Sequence, residues 1–136
     1  MLQNVLLVLT TVVLALPISV LADEPTKEGE LVYELRTYTC NPGKLPDLHK
    51  RFRDHTMPLF EKHGIKNIAY WVPLDKPDTL IYIVAHKSRA AADKSWKEFQ
   101  ADPEWQKARK ESELNGGLVK KVERQYMTPT EYSPMK

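Results

Sequence analysis

The chain has 136 residues, a length for one domain and not two. Its 20 Lys and Arg stand against 18 Asp and Glu, a formal net charge of +2, which excludes the strongly basic face of a nucleic-acid binder. The single cysteine, Cys40, excludes an internal disulfide and a Cys-rich metal site.

From Leu2 to Ala22 no side chain is charged, and Val5 to Leu16 is nearly all apolar. Pro17 breaks the run, and Val20-Leu21-Ala22 precedes Asp23-Glu24. An apolar core, a small residue and a polar start together predict a signal peptide over residues 1–22, hence export to the periplasm or the outside. The first four residues lack Lys and Arg, which departs from that pattern. The competing reading is a membrane anchor over residues 2–22, since about 20 apolar residues span a bilayer. Residues 23–30 form a short polar leader to the domain.

A first strand is predicted over Leu31–Thr39, ended by the turn residues Asn41-Pro42-Gly43. A helix follows from about Lys44 to His63, because Leu45, Leu48, Phe52, Leu59 and His63 recur with helical period. Gly64 suits its left-handed cap. Pro58 inside this helix lacks a donor and crowds the carbonyl of Asp54, which predicts a kink near His55 to Met57. Strands are expected at Ile65–Val72 and Thr79–His86, separated by a loop holding two prolines and two aspartates. Ser88 is the expected N-cap of the next helix, whose stripe is Ala92, Trp96 and Phe99. Asp102-Pro103 restarts a helix, with Trp105 and Ala108 inward and Lys107, Arg109 and Lys110 in water. Asn115-Gly116-Gly117 stops it, and Leu118–Thr128 is the last strand.

The order strand, helix, strand, strand, helix, strand is that of a ferredoxin-like α+β domain with a four-stranded antiparallel sheet. Two helices cover one face of such a sheet, so the other must be solvated or meet a partner. Side chains alternate along the first strand, which puts Tyr33, Leu35 and Thr37 on one face and Glu34, Arg36 and Tyr38 on the other. The second set, with Tyr70 or Trp71 and Tyr82, is expected on the uncovered face. That face is too aromatic to leave in water, which argues for a homodimer closed sheet to sheet.

No nucleotide loop, zincin, nucleophile-elbow or CxxC motif is present. Arg36 could anchor an anion with Glu34 as base or acceptor, or the two could form a structural pair across the dimer. Tyr38, Tyr82 and Trp71 could line a pocket or make dimer core. Trp96, Phe99 and Trp105 are expected in the core. His49 and His63 are about 21 Å apart on a straight helix and cannot share a metal. His55, by the kink, and His86, ending the third strand, could approach a cleft between the first helix and the sheet. A haem would need one of them aimed inward. The candidate pocket residues are therefore Glu34, Arg36, Tyr38, His55, Trp71, Tyr82 and His86. No metal site and no cofactor are expected, haem being the alternative.

The words Tyr33-Glu34-Leu35-Arg36-Thr37-Tyr38 and Pro42-Gly43-Lys44 resemble the opening of the NIPSNAP family domain. Further matching words follow in order: His55, Leu59-Phe60-Glu61-Lys62-His63-Gly64, Tyr70-Trp71, Trp96, Phe99, Asp102-Pro103-Glu104-Trp105 and Pro129-Thr130-Glu131-Tyr132-Ser133-Pro134. The resemblance spans residues 31–134 and implies a dimeric α+β barrel without a defined reaction. The resulting expectation is an exported, homodimeric module that holds a small ligand or is purely structural. The alternatives are an oxygenase, cofactor-independent or haem-linked, by fold analogy alone, and an interaction module working through the basic helix face. The missing nucleophile, metal set and cofactor loop favour the module over the enzyme.

Overall fold

The computed structural model describes residues 29–135. The expected signal peptide and most of the leader lie outside the described residues. Among these, no helix is long and apolar enough to cross a membrane.

Four strands, β1 (Val32–Cys40), β2 (Lys66–Trp71), β3 (Thr79–His86) and β4 (Val119–Met127), form one antiparallel sheet in the order β2-β3-β1-β4. The helices are α1 (Leu45–Arg51), α2 (Met57–Lys62), α3 (Arg89–Ala101) and α4 (Pro103–Ser112). This is the ferredoxin-like α+β order that the sequence predicts. β4 is an edge strand and carries Lys120, Lys121, Glu123 and Arg124, charges that discourage a further strand from adding there. Its register against β1 shifts between Thr39 and Cys40. Such bulges bend the strand and re-aim its side chains.

The local signals act as expected. Lys44 N–H closes a turn on the Asn41 carbonyl at 3.0 Å, and Gly43 takes φ +74°. Gly64, at φ +75°, follows the end of α2. Ser88 caps α3 by accepting from Ala91 N–H at 3.0 Å. Before Pro58 the chain does not simply bend. Phe52–Thr56 forms a π-helical turn joining α1 to α2, in which Met57 N–H reaches the Phe52 carbonyl.

Asp102 ties the end of α2 to the start of α4. Its carboxylate accepts from Glu104 N–H at 2.8 Å and contacts Lys62 Nζ at 2.9 Å and His63 Nε2 at 2.7 Å. Lys62, then His63 and the backbone N–H, hold its carboxyl well below the usual carboxylate range. A carboxyl lowered on folding adds stability above its unfolded value of about 4, lost as the pH falls through the folded one. Asp102→Asn keeps a capping side chain but removes the charge. The gap in melting temperature between wild type and variant should be largest near about pH 7 and close towards about pH 2. A constant gap would remove this assignment.

One expectation about the sheet is reversed. The face bearing Glu34, Arg36, Tyr38 and Tyr82 lies under the helices, not away from them: Glu34 and Tyr82 are 0% exposed and Arg36 is 9%. Tyr70 stacks on Tyr82 on this same side, their rings 5.2 Å apart. These aromatics are therefore core of a single chain rather than dimer core. The uncovered face instead carries Leu35, Thr37, Ile81 and Ile83, all half-buried, and Trp71, 49% exposed. The physical reason is that Glu34 and Arg36 neutralise each other, and buried Trp96 needs an acceptor for its indole N–H. Cys40 is buried in the core at the end of β1, which removes it as a bridge between chains.

Candidate functional site

A cavity of about 530 Å³ lies between the helices and strands β1 and β4. Arg36 and Tyr38 supply its sheet side, with Val119–Val122 from β4. The helical side brings Arg51, Phe52, Thr56 and Phe60 from the first helical segment, and Trp96, Phe99, Trp105 and Arg109 from α3 and α4. The π turn contributes both Phe52 and Thr56, and the register shift of β4 falls at the rim, where Val119, Lys120 and Lys121 stand.

Behind the cavity wall sits a buried polar network. Arg36 Nη1 donates to Glu34 Oε1 at 2.6 Å. Trp96 Nε1 donates to Glu34 Oε2 at 2.6 Å, and His86 Nε2 meets the same oxygen at 2.9 Å. Burial raises the Glu34 pKa, but the hydrogen bonds from His86 and Trp96 and the Arg36 charge outweigh it and hold the group below its ordinary value. Glu34 is therefore a carboxylate at neutral pH and only accepts, so His86 Nε2 carries the proton. His86 Nδ1 is buried without a partner. Burial also opposes the Arg36 charge, yet the oxygens of Tyr82, Tyr38 and Glu34 keep its pKa above normal.

Arg36 Nη2 donates to Tyr38 Oη at 3.3 Å, and Tyr82 O–H donates to the same oxygen at 3.0 Å. Burial, then the neighbouring Tyr38, push the Tyr82 phenol well up, so it stays neutral. The Arg36 guanidinium lies 4.2 Å from the centre of the Trp96 ring. Arg51, 5% exposed, repeats the arrangement on the other wall: its guanidinium is 5.1 Å from the Trp105 ring, and Nη1 donates to Glu113 at 3.0 Å and Ser112 at 3.2 Å.

Five of the seven residues expected in the pocket thus belong together. Arg36 and Tyr38 line the cavity, and Glu34, Tyr82 and His86 support them from behind. Two do not belong. His55 is exposed and borders a separate cleft of about 400 Å³ with Asp47, Lys50 and Glu111. The π turn shifts the helical phase there, so proximity to Pro58 did not bring the ring inward. Trp71 alternates with Tyr70, and Tyr70 took the inward position, leaving Trp71 at a shallow apolar groove with His49, Arg53 and Met57. A haem does not fit these histidines. His86 Nε2 is engaged by Glu34 and its ring is sealed in the core, while His55 faces away from the cavity.

The sequence places Trp105 in the core and Arg109 in water, and gives no ground for expecting these two, Arg51 or the β4 rim in the pocket. Arg51 left one trace: it stands between Leu48 and Phe52 on the buried stripe of α1, an odd place for a cation without a task.

This geometry defines a ferredoxin-like α+β protein with an open cavity walled by aromatics and guanidinium groups. The sequence pattern of the NIPSNAP family matches residues 33–134, and the chain belongs to that family. Among solved structures it resembles a NIPSNAP family protein of unknown function from Agrobacterium tumefaciens (TM-score 0.69, 22% identity, covering 79% of this chain and 95% of that one). It also resembles a NIPSNAP-like domain protein from Burkholderia xenovorans (TM-score 0.67, 15% identity, covering 77% and 90%). A more distant likeness is to an antibiotic biosynthesis monooxygenase-like protein from Bacteroides thetaiotaomicron (TM-score 0.54, 16% identity, covering 79% and 94%). At these identities the likeness is one of fold. No curated protein matches the chain.

Proposed function

We propose that this protein is a homodimeric small-molecule-binding module in which each chain holds its own ligand. The supporting observation is the cavity of about 530 Å³ with Arg36 fixed in its wall by Glu34. That volume is within the usual range of small-ligand sites, about 300–1,000 Å³. A guanidinium already oriented by a carboxylate loses little freedom when a ligand arrives. The dimer would close over the uncovered sheet face, where Leu35, Ile81, Ile83 and Trp71 are too apolar to leave in water. The cavity itself is built within one chain and does not depend on that contact.

The test is a thermal-shift screen of small fragments of differing charge. Some fragments should raise the melting temperature of wild type and not that of the Glu34→Leu/Arg36→Met double variant, which removes the buried pair together. If no fragment of any charge shifts wild type, the binding reading falls. For the dimer, light scattering should find a pair in wild type and a monomer in Ile83→Glu. A monomeric wild type at tens of micromolar would remove the dimer and leave the cavity untouched.

A further inference from the structure

We infer that the cavity takes a carboxylate borne on an aromatic body of one or two rings. The inference rests on the binding reading above and names the ligand class of that same site.

The first argument is an imbalance of donors and acceptors. Arg36, Arg51, Arg109, Lys120 and Lys121 line the cavity with one carboxylate, Glu113, while Glu34 pairs with Arg36 from behind the wall and Glu123 pairs with Lys121 along β4. Glu113 is already engaged, by Arg51 at 3.0 Å and by Arg109 at 3.5 Å. Five cations against these three carboxylates leave the wall net positive, which favours a ligand that brings acceptors and negative charge.

Tyr38 adds a donor. Its oxygen accepts from Arg36 Nη2 and from Tyr82, which is fully buried and donates its only proton there. With both lone pairs occupied, the Tyr38 proton is left for the cavity that its ring lines. Planar guanidinium forks match the planar, two-oxygen face of a carboxylate better than they match an isolated point charge.

The second argument is the apolar lining. Trp96, Phe99 and Trp105 form a continuous aromatic run, with ring centres 5.8 Å and 4.6 Å apart in sequence, and Arg36 and Arg51 lie over its two ends. Phe52 and Phe60 complete it. A flat ring stacks on such a surface.

Isothermal titration calorimetry with 2-naphthoate, 2-naphthylmethanol, hexanoate and inorganic phosphate separates these arguments on wild-type protein. 2-Naphthoate should bind on the order of tenfold or more tightly than each of the others: against the alcohol this is the margin of one charged hydrogen bond, and against hexanoate and phosphate that of burying the ring. Arg51→Lys keeps the charge and removes the fork; it should weaken 2-naphthoate on the order of tenfold and leave 2-naphthylmethanol unchanged. Equal binding of the alcohol would show that charge is not read. Equal binding of hexanoate or phosphate would show that the ring is not read. Either result overturns the inference, as does a folded Arg51→Lys that binds 2-naphthoate undiminished. If the fragment screen finds ligands but no aromatic acid among them, this inference falls and the binding reading stands; if it finds none, both fall.

Discussion

Glu34→Gln is expected to destabilise the domain by about 3–5 kcal/mol, the cost of removing one partner of a buried ion pair. The substitution changes almost no volume. It turns one of two acceptor oxygens into a donor, while Arg36, Trp96 and His86 all still need an acceptor. His86 can move its proton to Nδ1 and accept instead, because that atom has no partner now. Neither Trp96 nor Arg36 has such an escape, so at least one donor is stranded. Urea unfolding followed by tryptophan fluorescence measures the loss. A domain of this size holds about 5–15 kcal/mol in total, so the variant should sit near the edge of folding. Adding Arg36→Met to Glu34→Leu should restore part of what Glu34→Leu loses, because the two residues interact directly. A cost below about 1 kcal/mol for Glu34→Gln would mean that water reaches the pair and that the network does not anchor Arg36.

Phe60→Ala should cost about 3–5 kcal/mol as well, by a different route. Phe60 is 1% exposed and its ring centre lies 4.9 Å from Phe99, 5.2 Å from Trp96 and 6.2 Å from both Phe52 and Tyr82. Truncation removes contacts to four rings at once, and those rings are fixed by their own elements and cannot close the gap. The lost side chain also lines the cavity, so the void should join it. The unfolding midpoint reports the first effect, and increased binding of an apolar dye in the folded state reports the second. A loss under about 1.5 kcal/mol would mean that the cluster collapses into the space.

The elements of this fold could be read from the chain because each rests on local chemistry. Ser88 and Asp102 cap the helices they were expected to cap, Gly43 and Gly64 sit where φ is positive, and β3 runs over Thr79–His86 as its β-branched pattern says. The face of β1 could not be read in the same way. Alternation divides Glu34, Arg36 and Tyr38 from Leu35 and Thr37, but it does not say which set faces the helices. Charge argued for water. What decided the matter was satisfaction of Glu34 by residues up to 62 positions away, Trp96 among them. The same distance in sequence hid the cavity. Arg51 meets Trp105 and Glu113, and Tyr38 meets Tyr82, only once the sheet has formed. His55 was misplaced because it was aimed by its nearness to an expected kink, and the chain winds there as a π turn that leaves the ring outside.

That winding decides which ring fills the middle of the protein. Closing i→i+5 in place of i→i+4 takes up about one extra residue, so everything after Thr56 is turned by roughly 100° relative to an unbroken helix. Phe60 thereby occupies the azimuth that Leu59 would otherwise hold, directly beneath Tyr82 and Trp96. An aromatic side chain thus stands where Phe52, Tyr82, Trp96 and Phe99 converge.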